Sequence, residues 1–463
     1  MNHKQTYGTN LLLILFISLF SFCKKSDNIA VATPLYAQYG TPFANVPDAK
    51  DAVIYQVNPR AFSADASFKG ITARLDSIKA LGVNVIYLMP VYPIGVLKAA
   101  RGLGSLYAVK DYKGINTEFG NLTDLRALID AAHAKNMALM FDWVANHTAW
   151  DNAWISNKSW YQQDDAGNII IPAGTNWTDV AALNYDNQDM RKAMIDALEY
   201  WVYTANIDGF RFDAADYVPF DFWKEANTAL KSIAGHKLLL MAEGTRNDHF
   251  KAGFQMVYGM GYYYSIQSQV FGANKSATLL QGFNTSEYAT AFSGSQVVRY
   301  TTNHDAYLTD GSPVNLYGGK AGSIAAFLVT AYMKGVPMIY NGQEVGSTQV
   351  IDFFEKTPID WTTSPDVTVA YKKILNFRKN SDAVINGQLN VYTSDDVAVF
   401  TKSTDSQKVL VIANLRNKAV TYTVPSSLIQ TGWKEQFPAA GTAAVTLASQ
   451  LHLQPFQYMV LAQ

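Results

Sequence analysis

Acidic and histidine side chains stand at the ends of several short apolar segments of this chain. The segment DWVANH (142–147) contains Asp142 and His147, the run LLLMA (238–242) is followed by Glu243, and TTNHD (301–305) ends with His304 and Asp305. A single acid at such a place is commonly the cap of the next helix. Several acids and histidines in equivalent places indicate instead a site where carboxyl groups and imidazoles act on one substrate.

The segment IDGFRFDAAD (207–216) adds an arginine to this set. Side chains alternate between the two faces of a strand, so Phe210 and Phe212 share one face and Arg211 and Asp213 the other. One interpretation is an ion pair that serves stability alone, since buried charges are normally paired. The other is a catalytic carboxylate, with the pKa of Asp213 lowered by the guanidinium beside it.

Three carboxyl groups around one point suit the hydrolysis of glycosidic bonds. One must be ionised to act at the anomeric carbon, and another must be protonated to release the leaving oxygen. Asp213 beside Arg211 suits the ionised role. Glu243 follows five apolar residues and suits the protonated role, because desolvation disfavours the charged form. A metal-dependent hydrolase is the competing interpretation, but the sequence lacks the closely spaced His-x-His pair typical of its ligands.

Short apolar segments alternate with helical patterns over most of the chain. The predicted strands are residues 52–57, 83–90, 137–144, 209–214, 237–242, 262–265, 296–301 and 336–340, and the predicted helices are 71–81, 122–135, 190–203, 222–233 and 322–333. This alternation predicts an α/β fold, a (β/α)8 TIM barrel. A doubly wound sheet is disfavoured because no glycine-rich phosphate loop follows an early strand. Active sites of such barrels lie at the carboxyl ends of the strands.

Two departures from the repeat predict further domains. A long tryptophan-rich segment follows the third strand, and loops of that length are usually functional. It predicts a short excursion domain, residues 148–183, within a barrel made of residues 51–147 and 184–382. From residue 383 short alternating strands replace the helical patterns, which predicts a C-terminal antiparallel β-sandwich over residues 383–463.

Four segments, taken together and in this order, resemble the α-amylase family of glycoside hydrolases. They are DWVANH (142–147), GFRFDAA (209–215), MAEG (241–244) and TNHD (302–305). That family has a (β/α)8 barrel and cleaves with retention of configuration, and the resemblance extends from about residue 52 to the C-terminus. It implies three catalytic carboxyl groups with different roles: Asp213 as nucleophile, Glu243 as general acid/base and Asp305 as the group that orients the sugar.

The same resemblance implies four substrate-binding residues and a metal site. Arg211 would position Asp213, His147 and His304 would hydrogen-bond the sugar before the cleaved bond, and Tyr107 would stack on it. Asn146 and, more weakly, Asp179 match calcium ligands, and no organic cofactor is expected. The sequence departs from the family where many members carry a Lys-His pair after the nucleophile, since Asp216 and Tyr217 stand there.

The function implied is hydrolysis of α-1,4-glucosidic bonds of starch or maltodextrin. Two alternatives stay open: a transglycosylase or isomerase acting on maltose- or sucrose-type substrates, and a non-catalytic surface protein that binds glucan. The net charge of −1 gives no reason to expect nucleic acid as a partner.

The N-terminus has the pattern of a targeting segment. An apolar run at 11–22 is too short to span a bilayer as a helix and is typical of a signal peptide, predicted at residues 1–22. Cys23, the only cysteine, follows directly and resembles the lipid-attachment site of bacterial lipoproteins. We therefore expect an exported protein, anchored through Cys23 to the outer membrane of the cell envelope, with residues 23–50 as a tether. A plain secretory signal is the alternative, which would leave the protein periplasmic or secreted.

Overall fold

The computed structural model describes residue 1, residues 35–438 and residues 444–463. Residues from Gln38 to Gln463 form one compact unit, which contains all the elements given below. Most of the predicted signal peptide, as well as Cys23, lies outside the described residues. Among the described helices, none is long and apolar enough to cross a membrane.

Eight parallel strands close into a barrel, which confirms the predicted fold class. In chain order they are Ile54–Val57, Val85–Leu88, Ala138–Val144, Gly209–Asp213, Leu239–Ala242, Met256–Tyr258, Gln296–Arg299 and Val336–Tyr340. Each strand pairs with the next, and the eighth pairs with the first. All eight are buried along nearly their whole length, as expected for parallel strands covered by helices on the outside.

The sixth strand lies earlier in the chain than predicted. It is Met256–Tyr258, whereas the predicted segment 262–265 lies in and directly after the helix Met260–Tyr264. A run of tyrosines favours strand on intrinsic preference, but here Tyr262 and Tyr263 are buried on a helix. The true strand has only three residues, which is too short to show an alternating pattern.

Each helical segment that the sequence predicts contains helix in the structure, which adds others that were not predicted, the longest being Pro365–Lys379. The α-helices are Pro59–Phe62, Phe68–Thr72, Leu75–Ala80, Leu122–Ala134, Gln188–Ala205, Phe220–Lys231, Met260–Tyr264, Leu279–Ser286, His304–Thr309, Pro313–Leu316, Lys320–Met333, Pro365–Lys379 and Asp382–Asn386, and Ser265–Gly272 forms a π-helix. The predicted helix 71–81 is two helices, since the backbone of Arg74 leaves the helical region between them. The last helix crosses the predicted domain boundary at residue 383.

The last part of the predicted tether, residues 39–50, packs against the barrel. The backbone N–H of Tyr39 donates to the carbonyl of Tyr203 at 2.7 Å. The ring of Phe43 stacks on His133 with 4.4 Å between centroids. The predicted tether is therefore too long. Its composition resembles that of a linker, but its partners are distant in sequence and cannot be read from a local pattern.

The excursion after the third strand is small and mostly irregular. Its strands His147–Ala149 and Val180–Ala182 form an antiparallel pair, and the turns between them include the 3₁₀ helices Ala153–Ser156 and Lys158–Trp160. The pairing brings residues near 177–180 back to the end of the third strand. That return places the excursion beside the carboxyl ends of the barrel strands.

The C-terminal part is antiparallel, as predicted. Its strands are Gln388–Val391, Val397–Ser403, Lys408–Asn414, Val420–Thr423, Trp433–Glu435, Ala444–Val445, Gln450–Leu453 and Tyr458–Ala462. Six form one sheet, and Val420–Thr423 pairs with Gln450–Leu453 in a second. Alternate residues of the larger sheet belong to different cores. Val399 and Ile412 pack in the C-terminal core, whereas Phe400 and Val411 belong to the core shared with the barrel.

Candidate active site

Arg211 is the centre of the polar cluster at the carboxyl ends of the strands. Its side chain is fully buried, and the alternation predicted for the fourth strand is confirmed because Phe210 and Phe212 pack on the opposite face. Nη1 of Arg211 donates to Asp213 Oδ1 at 3.0 Å. The side chain of Asp213 is 12% exposed, so this carboxylate faces solvent only through a narrow opening.

Asp142, which the sequence placed at a strand end without a role, is a further member of the cluster. Its carboxylate is fully buried and accepts from Arg211 Nη1 at 2.6 Å. It also accepts from the hydroxyls of Tyr87 at 2.7 Å and Tyr107 at 2.9 Å. The register of the sheet sets Asp142 opposite Arg211 on the neighbouring strand, and this pairing is the signal that could have found it.

Glu243 follows the fifth strand and reaches the same guanidinium. Its Oε1 lies 2.7 Å from Arg211 Nη2, an ion pair whose angles are not those of a hydrogen bond. Its Oε2 accepts the backbone N–H of Ala214 at 2.8 Å. The apolar environment expected for Glu243 is therefore absent. The apolar residues before it pack in the cores on the two sides of the barrel sheet, whereas its own side chain contacts polar partners.

Burial raises the pKa of Asp213 well above its usual range, and some neighbouring charges oppose this rise while others add to it. The Arg211 guanidinium opposes the rise, while Glu243, Asp142 and Asp305 add to it. The sequence predicted the opposite direction, because a guanidinium beside one carboxylate would lower its pKa. Here one cation is divided among three carboxylates that come from three different strands. The cluster consequently favours keeping a proton, while one carboxyl group can still be ionised.

His304 belongs to a chain of hydrogen bonds that ends on Asp142. Gln56 Nε2 lies 2.8 Å from His304 Nδ1, and His304 Nε2 lies 2.7 Å from the hydroxyl of Tyr107. The amide can only donate to Nδ1, so the proton of the neutral ring is assigned to Nε2. The Tyr107 hydroxyl in turn donates to Asp142. Burial lowers the pKa of His304 to about 4, as it does for His147, so both rings are neutral near pH 7.

A cavity of about 620 Å³ opens over this cluster. Among the residues that line it are the predicted Asp213, Glu243, Asp305, His147, His304 and Tyr107. Asp305 lies at the mouth, with 54% of its side chain exposed. Aromatic side chains that were not predicted as site residues complete the walls: Trp177, Tyr217, Tyr264 and Phe353. Of the predicted catalytic and substrate-binding residues, only Arg211 does not line the cavity, because it lies beneath it.

The two predicted calcium ligands do not form a cation site by themselves. Asn146 is buried, with its side-chain amide nitrogen 3.3 Å from His147 Nδ1 and its backbone carbonyl accepting the N–H of Leu183. Asp179 lines the catalytic cavity. Calcium takes about six to eight oxygen ligands, and no three His, Cys, Asp or Glu side chains within the described part of the chain are grouped to hold a metal. Calcium also accepts backbone and amide carbonyl oxygens, so the site stays a prediction from the sequence.

Comparisons with known proteins agree with this architecture. Residues 43–172 and 175–383 match the family model described as the α-amylase catalytic domain. The α-amylase MalA of Haloarcula japonica is 25% identical over 403 residues, which cover 82% of this chain and 57% of that protein. The trehalose-6-phosphate hydrolase of Bacillus subtilis is 22% identical, with 89% and 97% covered.

Solved structures show the same relationship. The crystal structure of an α-amylase from Lactobacillus plantarum aligns with a TM-score of 0.80 and 26% identity, over 90% of this chain and 99% of that one. The family match covers well over half of the chain, and the structural alignment with the Lactobacillus plantarum enzyme extends over nearly all of both chains. The chain therefore belongs to the α-amylase family and is a glycoside hydrolase.

Proposed function

We propose that this enzyme cleaves α-1,4-glucosidic bonds of starch or maltodextrin and retains the configuration of the anomeric carbon. The observation that carries the proposal is the sharing of one guanidinium. Asp213 and Glu243 contact the two terminal nitrogens of Arg211 at 3.0 and 2.7 Å, at the floor of the cavity. Retaining glycosidases need two carboxyl groups only about 5–5.5 Å apart, and a shared guanidinium keeps the two groups close.

In the first step Asp213 attacks the anomeric carbon while Glu243 gives a proton to the leaving oxygen. The result is a covalent glycosyl-enzyme and a released sugar with a free hydroxyl. In the second step Glu243 takes a proton from water, which attacks the same carbon and frees Asp213. The transition states carry positive charge on the sugar, and a cluster with more carboxyl groups than cations is suited to stabilise it.

The remaining polar groups suit sugar binding. His147 and His304 are neutral near pH 7 and can hydrogen-bond hydroxyl groups without adding positive charge to a site that must stabilise a cation. The hydrogen bonds of Tyr107 to His304 and Asp142 hold its ring in one orientation at the cavity wall, which suits stacking on an apolar sugar face. Asp305 is exposed at the mouth, where it can bind the hydroxyls of an entering ring.

The test is a time-resolved product profile on soluble starch and on pullulan, with NMR detection of the anomer first released. We expect maltooligosaccharides from starch with the α-anomer formed first, and no hydrolysis by Asp213→Asn, which keeps the shape of the side chain. A β-anomer, or an Asp213→Asn enzyme with more than a few per cent of wild-type activity, would contradict the mechanism. Longer or rearranged sugars at high maltose concentration would instead identify a transglycosylase or isomerase. Tight starch binding without any hydrolysis would indicate a binding protein.

We also propose that the enzyme is exported and lipid-anchored. The support is the sequence alone: an apolar run at 11–22 followed at once by the only cysteine, Cys23. A lipid on Cys23 would hold the catalytic domain at the cell envelope, close to polymeric glucan outside the cell.

A further inference from the structure

Asp216 lies three residues beyond Asp213, and its carboxylate is occupied by hydrogen bonds within the protein. The backbone N–H groups of Thr245 and Arg246 each donate to Oδ1 at 3.1 Å. Oδ2 accepts the N–H of Thr245 at 2.8 Å and its hydroxyl at 3.0 Å. His249 Nε2 lies 2.6 Å from Oδ1. Although Asp216 lines the cavity, its acceptors are used to hold the loop that follows Glu243.

Further hydrogen bonds join the same two loops on both sides of Asp216. The guanidinium of Arg246 donates to the carbonyls of Asp216 at 3.0 Å and Val218 at 2.7 Å. The backbone N–H of Ala215 donates to the carbonyl of Glu243 at 2.9 Å. The loop that carries Glu243 is therefore fixed to the loop that follows the fourth strand.

The local sequence is adapted to this contact at a cost in stability. A Cβ atom on Gly244 would collide with the carboxylate of Asp216 and the ring of His249, so the glycine is needed for their approach. His249 is fully buried, and its Nδ1 has no hydrogen-bond partner within the described residues. A buried polar group left unpaired lowers the folding stability. Folding stability alone therefore does not explain the Asp216–His249 pair.

We propose that Asp216, paired with His249, is a positioning residue that aims the carboxyl group of Glu243 at the leaving-group oxygen. The inference rests on the acid role proposed for Glu243. Misplacing a reacting group by about 1 Å can cost about 100-fold in rate. Because Asp216 has its acceptors filled, its contribution is to proton delivery and not to sugar binding.

The test compares two substrates that differ in their need for a proton. Maltotriose releases a sugar hydroxyl and needs protonation of the leaving oxygen, whereas α-maltosyl fluoride releases fluoride, which needs far less. In Asp216→Asn the amide nitrogen cannot accept from the Thr245 or His249 donors. We expect kcat/KM on maltotriose to fall about 10- to 100-fold. On α-maltosyl fluoride, kcat/KM reports only the first step, in which the leaving fluoride needs little protonation, and it should stay close to that of the wild type.

The control variants separate this role from a structural one. Asp248→Asn removes a carboxylate from the same loop, whose ion-pair partner among the described residues is Arg246, and should leave both rates unchanged. Gly244→Ala should reproduce the selective loss by pushing the pair apart. The ratio of the two rates is independent of the folded fraction, so partial unfolding cannot imitate the effect. An equal loss on both substrates, or no loss on either, overturns the inference.

Glu243→Gln distinguishes this inference from the mechanism on which it rests. It should lose maltotriose activity selectively and more strongly than Asp216→Asn. If Glu243→Gln shows the selective loss and Asp216→Asn does not, the positioning role is wrong while the proposed mechanism stands. If Glu243→Gln itself shows no selectivity, the acid role of Glu243 is wrong.

Discussion

Replacing Arg211 by lysine tests whether one guanidinium organises the catalytic carboxylates. Arginine contacts Asp142, Asp213 and Glu243 at 2.6, 3.0 and 2.7 Å through two different nitrogens. A lysine ammonium is a compact charge on a flexible stem and cannot bridge the same groups from a planar fork. Arg211→Lys keeps the positive charge and loses the geometry, so its effect reports positioning more than net charge.

The contacts set the size of the expected effect. Breaking a buried ion pair costs about 3–5 kcal/mol of folding stability. Lysine can keep one of the three contacts, so we expect a loss at the lower end, about 3 kcal/mol. The carboxyl groups would also lose their fixed places, and loss of one preorganised charge contact at a reacting centre typically lowers kcat by about 10²–10³-fold. KM should change much less, because Arg211 lies beneath the cavity and does not line it.

The assay is release of 2-chloro-4-nitrophenol from its α-maltotrioside, measured beside thermal unfolding of the same samples. Arg299→Lys is the matched control, because Arg299 is also fully buried in a barrel strand and pairs with Glu287 away from the cavity. It should lose comparable stability and keep kcat near the wild-type value. Equal loss of kcat in both variants, or full kcat in Arg211→Lys, would refute the proposed role of the guanidinium.

Three further predictions concern stability, metal and location. Burial raises the pKa of Glu344 from 4.5 to about 7 in the folded protein, so folding favours its protonated form. That stability is complete below pH 4.5 and is lost as the pH rises through 7, by up to about 3 kcal/mol at 1.36 kcal/mol per pKa unit. The melting temperature of Glu344→Gln should therefore rise relative to that of the wild type between pH 5 and 8. A difference between the two melting temperatures that does not change with pH would contradict the raised pKa of Glu344. Chelation with EDTA should leave starch hydrolysis nearly unchanged, since the described residues bring no three His, Cys, Asp or Glu side chains together as metal ligands. A large loss restored by Ca²⁺ would contradict this. Cys23→Ser should release the enzyme from membranes into the soluble fraction, and unchanged membrane association would argue against the anchor.

Local patterns in the sequence predict most of the barrel, because apolar runs mark its strands and helical spacing marks four of its long helices. The helix Pro365–Lys379 was not predicted. The motif segments also place Asp213, Glu243 and Asp305 at one cavity. What failed depends on partners far apart in the chain. The direction of the Asp213 pKa follows from carboxylates on other strands, and the contact of Asp216 with the loop after Glu243 has no local signature.

The C-terminal sheet has apolar residues on both faces, and this has a consequence for how the protein melts and evolves. Phe400 and Val411 pack in the core shared with the barrel domain, while Val399 and Ile412 pack in a separate C-terminal core. Removing the sheet would expose a large apolar surface of the catalytic domain to water. Calorimetry should therefore show one cooperative transition, without a separate event for the sheet. Exchange of this sheet between related enzymes would require the facing barrel residues to change with it.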